Sequence, residues 1–249
     1  MTAAAPLRSA MVLAAGLGLR LRPITNTLPK PLVPVAGRSM LDRALDALDA
    51  QGVGTCVVNT HYLGHMIAAH LAARAQPILH VSPEQELLDT GGGVAKVLPL
   101  LGAAPFYTVN ADILWEEGPG DPALARLCAG FDTDTMDALL LVVPRGRAVG
   151  YDGKGDFNQA PDGRLVRRGA QPDADYVFTG VQILHPRLFA GCPDGAFSLN
   201  LLYDRAIAAG RLHGIVHEGR WFHIGTPEGL RLAEAGLAAP PPPLSPSAP

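Results

Sequence analysis

The sequence predicts an α/β fold in which a mixed, mostly parallel sheet is covered by helices on both faces. The first observation is that short apolar runs alternate with amphipathic helical patterns through the first half of the chain. The second is that some runs are continuously apolar, such as ALLLVV at 138–143, as expected of strands buried on both faces. The third is a hydrophobic content of 48% in 249 residues, enough for a large core. This length suits one large or two small domains.

Each element of the first half follows from its own pattern. Residues 40–51 (MLDRALDALDAQ) place apolar side chains on one helix face, because those side chains recur at intervals of three or four. The β-branched run TCVVN predicts a strand. In chain order, strands are predicted at 11–15, 55–59, 78–81, 106–109 and 138–143, and helices at 40–51, 63–74, 94–101 and 122–129.

The texture changes after Pro144. Glycine, aspartate and proline become frequent and the predicted strands are short, which favours antiparallel strands and loops that cover the sheet edge. Pro227 suits the first turn of a closing helix. Strands are predicted at 156–158, 176–184 and 212–217, and helices at 199–209 and 227–238.

Composition excludes several classes of protein. Only 17% of residues are charged and the formal net charge is -3, without a basic stripe, so no nucleic-acid-binding surface is predicted. Cys56, Cys128 and Cys192 form no CxxC pair, which argues against a zinc site or a disulfide framework. No apolar stretch approaches the roughly 20 residues that span a bilayer. We therefore expect a cytoplasmic protein that binds small molecules rather than nucleic acid or a membrane.

The stretch at 10–37 carries the strongest functional signal. An apolar run ends just before Gly16 and is followed by Gly18, Arg20 and, between two prolines, Lys30. A buried strand that opens into a glycine-rich turn lays successive backbone N–H groups against an anion. The cations add charge, and the prolines stiffen the segment around the lysine. The stretch therefore predicts a loop that binds a nucleoside triphosphate.

Three common phosphate-binding motifs do not match this stretch. The P-loop requires Gly-Lys followed by Ser or Thr, which does not follow Gly16, and the dinucleotide fingerprint requires a third glycine where this chain has Leu21. The HRD and DFG motifs of protein kinases are absent from the sequence. The pattern GxGxRxxP followed by PKPLxPVxG resembles instead the signature of the sugar-1-phosphate nucleotidyltransferases.

This resemblance implies a Rossmann-like nucleotide-diphospho-sugar transferase fold in a single domain at 1–239. Residues at about 10–144 would form its nucleotide-binding half and residues 145–239 its sugar-binding half, and the Pro-rich tail at 240–249 is expected to be disordered. The resemblance also implies an enzyme that joins a nucleoside triphosphate to a sugar 1-phosphate and releases pyrophosphate. The implied nucleotide-binding residues are Leu13, Ala14, Ala15, Gly16, Gly18, Arg20, Glu86, Thr90, Gly91 and Gly92.

The expected catalytic residues are Lys30, Arg20 and Asp112. Lys30 would contact either the α-phosphate or the attacking sugar phosphate, and Arg20 would hold the β- and γ-phosphates in a fork geometry. Asp112 follows the predicted strand FYTVN, and open α/β sheets bind ligands outside the carboxyl ends of their strands. The resemblance makes Asp112 a ligand of a Mg²⁺ cofactor, while a turn or helix-capping role is the alternative.

The segment EQELLDTGGGV at 84–94 resembles the part of the family that recognises the base, with Glu86 and Thr90 as candidate side chains. Its three glycines would permit close backbone approach or left-handed geometry. A helix that begins here, capped by Asp89 or Thr90, is the competing interpretation. Both interpretations stay open from the sequence.

Sugar-binding residues are implied mainly in the second half. GDF resembles a short strand that lies over the sugar, and the TG pair of YVFTGVQIL resembles one that approaches the ring. Thr179 could equally be a strand threonine on a sheet face. The implied sugar-binding residues are Asn110, Gly155, Asp156, Asn158, Thr179 and Gly180.

One position departs from the family pattern. WFHIGTPEGL resembles a W-x-D-x-G-T-P motif whose aspartate is the second metal ligand, but this chain has His223 there. His223 could still ligate a divalent ion or could bind the sugar phosphate, although imidazole suits zinc, copper or iron better than magnesium. The third interpretation, in which Asp112 alone holds the metal with phosphates and water, is the one we favour.

The compact length, TGGGV and GDF resemble most the members that transfer uridylyl from UTP to N-acetylmuramate 1-phosphate in cell-wall recycling. Guanylyl transfer to mannose 1-phosphate is the main alternative, and thymidylyl transfer to glucose 1-phosphate is another. Because of His223, a non-catalytic nucleotide-sugar sensor on the same fold also stays open.

Overall fold

A computed structural model describes residues 7–239 of the chain. The tail predicted at 240–249 therefore lies outside the described residues. The strands are β1 Ser9–Leu13, β2 Pro34–Val35, β3 Arg38–Ser39, β4 Thr55–Thr60, β5 Ile78–Pro83, β6 Phe106–Asn110, β7 Ile113–Trp115, β8 Ala138–Pro144, β9 Ala148–Val149, β10 Phe157–Gln159, β11 Leu165–Arg167, β12 Tyr176–Leu184, β13 Leu212–Val216 and β14 Trp221–His223. The helices are α1 Met40–Ala50, α2 Gly64–Leu71, α3 Asp89–Leu101, α4 Ala123–Gly130, α5 Leu199–Ala208 and α6 Pro227–Ala238.

The central sheet has nine strands and is mixed. Strands β5, β4, β1 and β6 lie side by side in that order and pair in parallel. Strand β12 then runs antiparallel between β6 and β8, and β13 pairs in parallel with β8. The β10–β11 hairpin joins β12 near its amino end. The predicted mixed sheet is confirmed, and its parallel part is the β5–β4–β1–β6 block together with the β8–β13 pair.

Alternate side chains of β8 enter two separate cores, which explains its continuous apolar run. Leu139 and Leu141 pack in the core that contains apolar side chains of α1, α2 and α4. Leu140 and Val142 pack in the core that contains those of α3 and α5. Helices therefore cover both faces of the sheet, as predicted.

A third core packs the last described strand and helix against the glycine-rich loop. It contains Leu21 from that loop, Phe222 of β14, Ile224 and Ala233 of α6. Strand β14 lies between β7 and β9 in a small separate sheet. This packing sets the predicted WFHIGTP segment beside the predicted phosphate-binding loop.

Two predicted boundaries differ from the structure in ways that concern function. The first strand ends at Leu13 rather than at residue 15, so the glycine-rich loop begins two residues earlier. Helix α3 begins at Asp89 rather than at residue 94, so the three glycines belong to the helix. Across residues 7–239, no helix combines the length and the apolar character that crossing a bilayer requires.

Candidate active site

A cavity of about 690 Å³ opens at the carboxyl ends of β1, β4 and β6. Parallel strands direct ligands to this end of a sheet. Its wall includes the loop that follows β1, the segment between β5 and α3, and an asparagine near the carboxyl end of each of β4 and β6. The predicted residues that line it are Leu13, Ala14, Ala15, Gly16, Gly18, Arg20, Lys30, Thr90, Asn110 and Asp112.

The loop after β1 is held at both of its ends. The backbone N–H of Ala14 donates to Oδ1 of Asn59 at 2.7 Å. Gly18 has φ +63°, and its carbonyl accepts a 2.7 Å hydrogen bond from the Thr25 hydroxyl. A Cβ built at Gly16 would have nothing within 4 Å. The backbone in the middle of the loop therefore faces open space, as an anion-binding loop requires.

Lys30 and Asp112 meet at the wall of this cavity. Lys30 begins a short 3-10 turn, Lys30–Leu32, and follows Pro29. Its side chain is 90% buried and its Nζ lies 2.8 Å from Oδ2 of Asp112, which follows β6. A cation on a stiff turn and a carboxylate at the end of a central strand are thus fixed side by side.

Gly225 allows Arg20 and His223 to approach the same wall. A Cβ built there would stand 2.5 Å from Nε2 of His223 and 3.2 Å from Nη2 of Arg20. Burial lowers the pKa of His223; the charge of Asp112 opposes this, while those of Lys30 and Arg20 add to it. The imidazole is therefore neutral near pH 7.

A hydrogen-bond network of buried polar side chains in the cavity wall was not predicted. Nδ2 of Asn59 donates to Oε1 of Glu84 at 2.7 Å, and Oε2 of Glu84 accepts from the N–H of Leu88 at 3.0 Å. Both side chains line the cavity and are nearly inaccessible to solvent. This network connects the loop at Ala14, through Asn59 and Glu84, with the start of α3. The signal was present, since Asn59 lies near the carboxyl end of a buried strand, as Asn110 does.

The predicted base-binding glycines lie outside the cavity lining. The N–H groups of Gly91 and Gly92 both donate to the carbonyl of Phe197, at 2.8 and 3.1 Å. A Cβ at Gly91 would stand 2.3 Å from the Phe197 ring, and one at Gly92 would stand 2.2 Å from the carbonyl oxygen of Gly195. These glycines therefore let α3 pack against residues 195–197. Their contact with a base stays a prediction that this geometry does not favour.

The start of α3 also corrects the predicted cap. Its N-cap residue is Leu88, without a side-chain cap, and Asp89 is the first helical residue. Thr90 lines the cavity, and its hydroxyl accepts from the N–H of Leu199 at 3.0 Å. Glu86 is not among the lining residues, whereas Glu84 is. Thr90 is thus at the site, and a role for Glu86 stays a prediction.

A second cavity of about 220 Å³ shares Leu13, Asp89, Thr90 and Asn110 with the first. Asp156, predicted for sugar binding, lines it, and its Oδ2 accepts from the N–H of Phe178 at 2.8 Å. Burial raises the pKa of Asp156, against the effects of that hydrogen bond and of nearby positive charge. The two cavities form adjoining parts of one site.

Asn110, another predicted sugar-binding residue, also lines the second cavity, whereas Gly155, Asn158, Thr179 and Gly180 lie outside its lining. Thr179 is fully buried and its hydroxyl donates to the carbonyl of Leu141 at 2.8 Å, so the strand-threonine interpretation describes its side chain. Asn158 bonds instead to Gln171 and to the N–H of Asp175. Sugar contacts by Asn158 and Thr179 stay predictions without support from these contacts.

Gly155 and Gly180 serve backbone geometry. Gly180 has φ +87°, and a Cβ there would stand 3.0 Å from the side chain of Asn110. Gly155 has φ +77°, and a Cβ there would stand 2.4 Å from the carbonyl oxygen of Ala174. Gly180 thus leaves room for Asn110, which lines both cavities.

Comparison with known proteins decides the family, since the model of the family described as nucleotidyl transferase matches residues 9–153. The chain belongs to the nucleotidyl transferase family. The resemblance to the sugar-1-phosphate nucleotidyltransferases is confirmed, and the chain is a nucleotidyltransferase rather than a dinucleotide-binding protein.

Two relatives match this nucleotidyl transferase along nearly its whole length. N-acetylmuramate alpha-1-phosphate uridylyltransferase of Caulobacter vibrioides is 42% identical over 234 residues, which cover 92% of this chain and 96% of the relative. The protein of the same name from Neisseria meningitidis serogroup B is 34% identical, covering 91% and 96%. The crystal structure of UDP-glucose pyrophosphorylase with UDP-glucose superposes with a TM-score of 0.77 at 15% identity, covering 93% of this chain and 98% of that one. This likeness supports the fold alone.

A magnesium site in this transferase would be built largely from substrate. Within residues 7–239, no three His, Cys, Asp or Glu side chains form a group that could hold a metal ion. Asp112 offers one carboxylate, and Mg²⁺ is commonly bound by one or two carboxylates with phosphate oxygens and water. The donor set therefore fits a Mg²⁺ shared with nucleotide phosphates, whereas the imidazole of His223 suits other metals better.

Sequence reasoning also missed Arg167 of the transferase, which lines the second cavity. Arg167 lies two residues after Leu165, and side chains two apart in a strand lie on the same face of the sheet. Arg167 therefore shares a face with the side chain of Leu165. Leu165 is buried, Val166 between them is exposed and Arg167 is half-buried. An arginine on the buried face of a short strand was the available signal.

Proposed function

We propose that this nucleotidyl transferase joins UTP and N-acetylmuramate 1-phosphate to give UDP-N-acetylmuramate and pyrophosphate. The observation that carries the proposal is the similarity to two uridylyltransferases of that specificity, each matched over 96% of its own length. A role in peptidoglycan recycling in the cytoplasm belongs to the same proposal, because N-acetylmuramate is a cell-wall sugar and UTP is a cytoplasmic nucleotide.

The adjoining cavities suggest how the two substrates are arranged. The larger one, with the loop after β1, suits the nucleotide, and the smaller one suits the sugar. Asn110 lines both and follows the same strand as Asp112. A sugar 1-phosphate in the smaller cavity would thus present its phosphate beside Lys30. Such positioning converts a bimolecular reaction into an effectively unimolecular one.

The reaction needs little covalent chemistry from the protein. A phosphate oxygen of the sugar 1-phosphate attacks the α-phosphorus of UTP, and the bond to pyrophosphate breaks. Lys30 holds a positive charge where the charge on the α-phosphate develops, and such preorganised groups contribute about 10²- to 10³-fold in rate. Arg20, near Gly225 at the same wall, would contact the β- and γ-phosphates.

Mg²⁺ belongs to this proposal as the cofactor. Asp112 would hold it together with phosphate oxygens and water, and the ion would neutralise phosphate charge when bound. His223, half-buried and with its pKa lowered mainly by burial, would contribute position rather than charge.

Pyrophosphate release tests the proposal. UTP, GTP, CTP and dTTP would each be combined with N-acetylmuramate 1-phosphate, mannose 1-phosphate and glucose 1-phosphate, with Mg²⁺ or with a chelator. We expect the fastest release from UTP with N-acetylmuramate 1-phosphate, and its loss on chelation. Faster release from GTP with mannose 1-phosphate would replace the proposal with guanylyl transfer, and no release from any pair would favour a sensor.

A further inference from the structure

The guanidinium of Arg167 is held in one orientation at the second cavity. Its Cζ lies 4.8 Å from the ring centroid of Phe157. Its Nε donates to Oδ1 of Asp204 at 2.7 Å, and its Nη2 donates to Oδ1 of Asn200 at 2.9 Å. An aromatic face from β10 and two polar partners from α5 thus fix a side chain that is otherwise long and flexible.

Part of this fixed group is unused within the described chain. None of the hydrogen bonds among residues 7–239 involves Nη1 of Arg167. The side chain is 34% exposed, while its partner Asp204 is 60% exposed. Because an ion pair with so exposed a carboxylate is largely screened by water, the guanidinium of Arg167 can still attract a second anion.

The charges around Arg167 make its position unusual. It is the single cation among the described residues that line the second cavity, where Asp89 and Asp156 supply two carboxylates. The cavity as a whole therefore does not attract anions. An acidic ligand group would bind favourably there only if it were placed at Arg167 itself.

We propose that Arg167 is the specificity residue that binds a carboxylate carried by the sugar 1-phosphate. N-acetylmuramate is N-acetylglucosamine with an added lactyl ether, and its carboxylate is the feature that distinguishes the two sugars. A guanidinium presents N–H groups in a fork that matches a carboxylate. This inference rests on the proposed function, and it adds the reason why an acidic sugar would be preferred over a neutral one.

The position of Arg167 agrees with this role. The second cavity continues from the first through Leu13, Thr90 and Asn110, and Arg167 lies at the end of the β10–β11 hairpin that borders it. A sugar whose phosphate points towards Lys30 would present its ring substituents to the far part of this cavity. A neutral sugar would offer no carboxylate to Nη1 of Arg167.

Binding of the two nucleotide sugars tests the inference. Calorimetry would give the Kd of UDP-N-acetylmuramate and of UDP-N-acetylglucosamine for the wild type and for Arg167→Gln. Because the shared UDP anchors both compounds, both affinities can be measured. Arg167→Gln is expected to raise the Kd of the acidic compound about 10- to 100-fold, the range of a hydrogen bond to a charged group, and to leave the neutral compound within about threefold. Arg167→Lys, which keeps the charge without the fork, should fall between.

A matched variant separates recognition from structure. Arg164→Gln removes an exposed arginine of the same hairpin that pairs with Asp162 and does not line either cavity. This control variant should keep the preference for the acidic compound. An equal loss for both compounds in Arg167→Gln, or no loss for either, would overturn the inference.

The proposed function has its own readout in the same experiment. Wild-type pyrophosphate release from UTP and N-acetylmuramate 1-phosphate would be measured beside the binding. If the wild type shows no such release, the proposed function fails and the inference fails with it. If the wild type is active and Arg167→Gln keeps the preference, the inference alone fails.

Discussion

Lys30 and Asp112, 82 residues apart in sequence, form a 2.8 Å ion pair at the wall of the larger cavity. The loop after β1 supplies the cation, and the end of β6, its parallel neighbour, supplies the carboxylate. Because Lys30 is only 8% exposed, its charge would be costly without a partner. The pair therefore compensates the charge of a largely desolvated ammonium and holds it at the place where phosphates are expected.

Lys30→Met tests the role of that ammonium. The variant keeps an unbranched side chain but loses the charge, so kcat for pyrophosphate release should fall by at least about 10²-fold. The fold should persist, because Asp112 is partly exposed and can be hydrated. Lys96→Met, on α3 and away from the cavity lining, is the control and should keep its rate. A near-normal kcat in Lys30→Met would remove Lys30 from the mechanism.

Gly92→Ala tests the packing of α3. Alanine usually stabilises a helix by about 1 kcal/mol relative to glycine. Here the new Cβ would stand 2.2 Å from the carbonyl oxygen of Gly195, and backbone cannot move away cheaply. We expect the overpacking to outweigh the gain in helix propensity, with a net loss of about 1–3 kcal/mol in the free energy of unfolding. Denaturant titration measures it, and an unchanged or raised stability would contradict the packing.

Gly16→Ala should behave in the opposite way. A Cβ at Gly16 meets nothing within 4 Å, and its φ is not positive, so the free energy of unfolding should change by less than about 0.5 kcal/mol. The methyl group would occupy space that the loop offers to phosphates, so the Kd of UTP should rise. Calorimetry beside the denaturant titration separates the two effects. Unchanged UTP affinity would mean that the phosphates bind elsewhere.

His223→Asp tests the departure from the family motif. The aspartate would place a second carboxylate near Asp112, and Mg²⁺ prefers oxygen ligands. The Mg²⁺ concentration at half-maximal rate should therefore fall. His65→Asp, at an exposed position of α2, controls for added negative charge. If the two variants give the same Mg²⁺ titration as the wild type, position 223 has no part in metal binding.

Asp137→Asn tests an ion-pair cluster far from the site. Burial raises the pKa of Asp137, but hydrogen bonds from Arg211 and Arg187 outweigh it, so the pKa lies below its ordinary value of 3.8. Asp137 therefore takes up its proton at a lower pH in the native state than in the unfolded state. Its ion pairs with Arg187 and Arg211 stabilise the protein above about pH 4, and this stabilisation is lost as the pH falls further. Asp137→Asn should have a lower free energy of unfolding than the wild type at pH 6, and this difference should narrow below pH 4. A difference that stays constant across this range would contradict the ion pairing. Asp121→Asn, at an exposed position, is the control.

The sequence was most informative where one residue type admits few geometries. Gly16 and Gly18 after a buried strand, and a lysine between prolines, predict the loop because backbone and charge requirements coincide there. The glycine run at 91–93 has two physical explanations, close approach to a ligand or close approach to another segment. Only the position of Phe197, more than a hundred residues later in the chain, distinguishes them.

Residues whose function depends on a distant partner were the ones missed. Arg167 matters because Phe157, Asn200 and Asp204 fix its guanidinium, and two of these come from a helix that the sequence does not connect with the hairpin. Thr179 shows the reverse case. It follows a family-like pattern, yet its hydroxyl bonds to Leu141 on the neighbouring strand, a register that no local pattern reports.

Strand β12 has a mechanical consequence. It belongs to the predicted sugar-binding half but pairs along its edges with β6 and β8, both from the predicted nucleotide-binding half. A hinge between the halves would have to break these ladders, so the halves cannot swing open and shut around substrates. Any closing movement falls to the loops at the rim, and substrates must enter a groove whose floor is already in place.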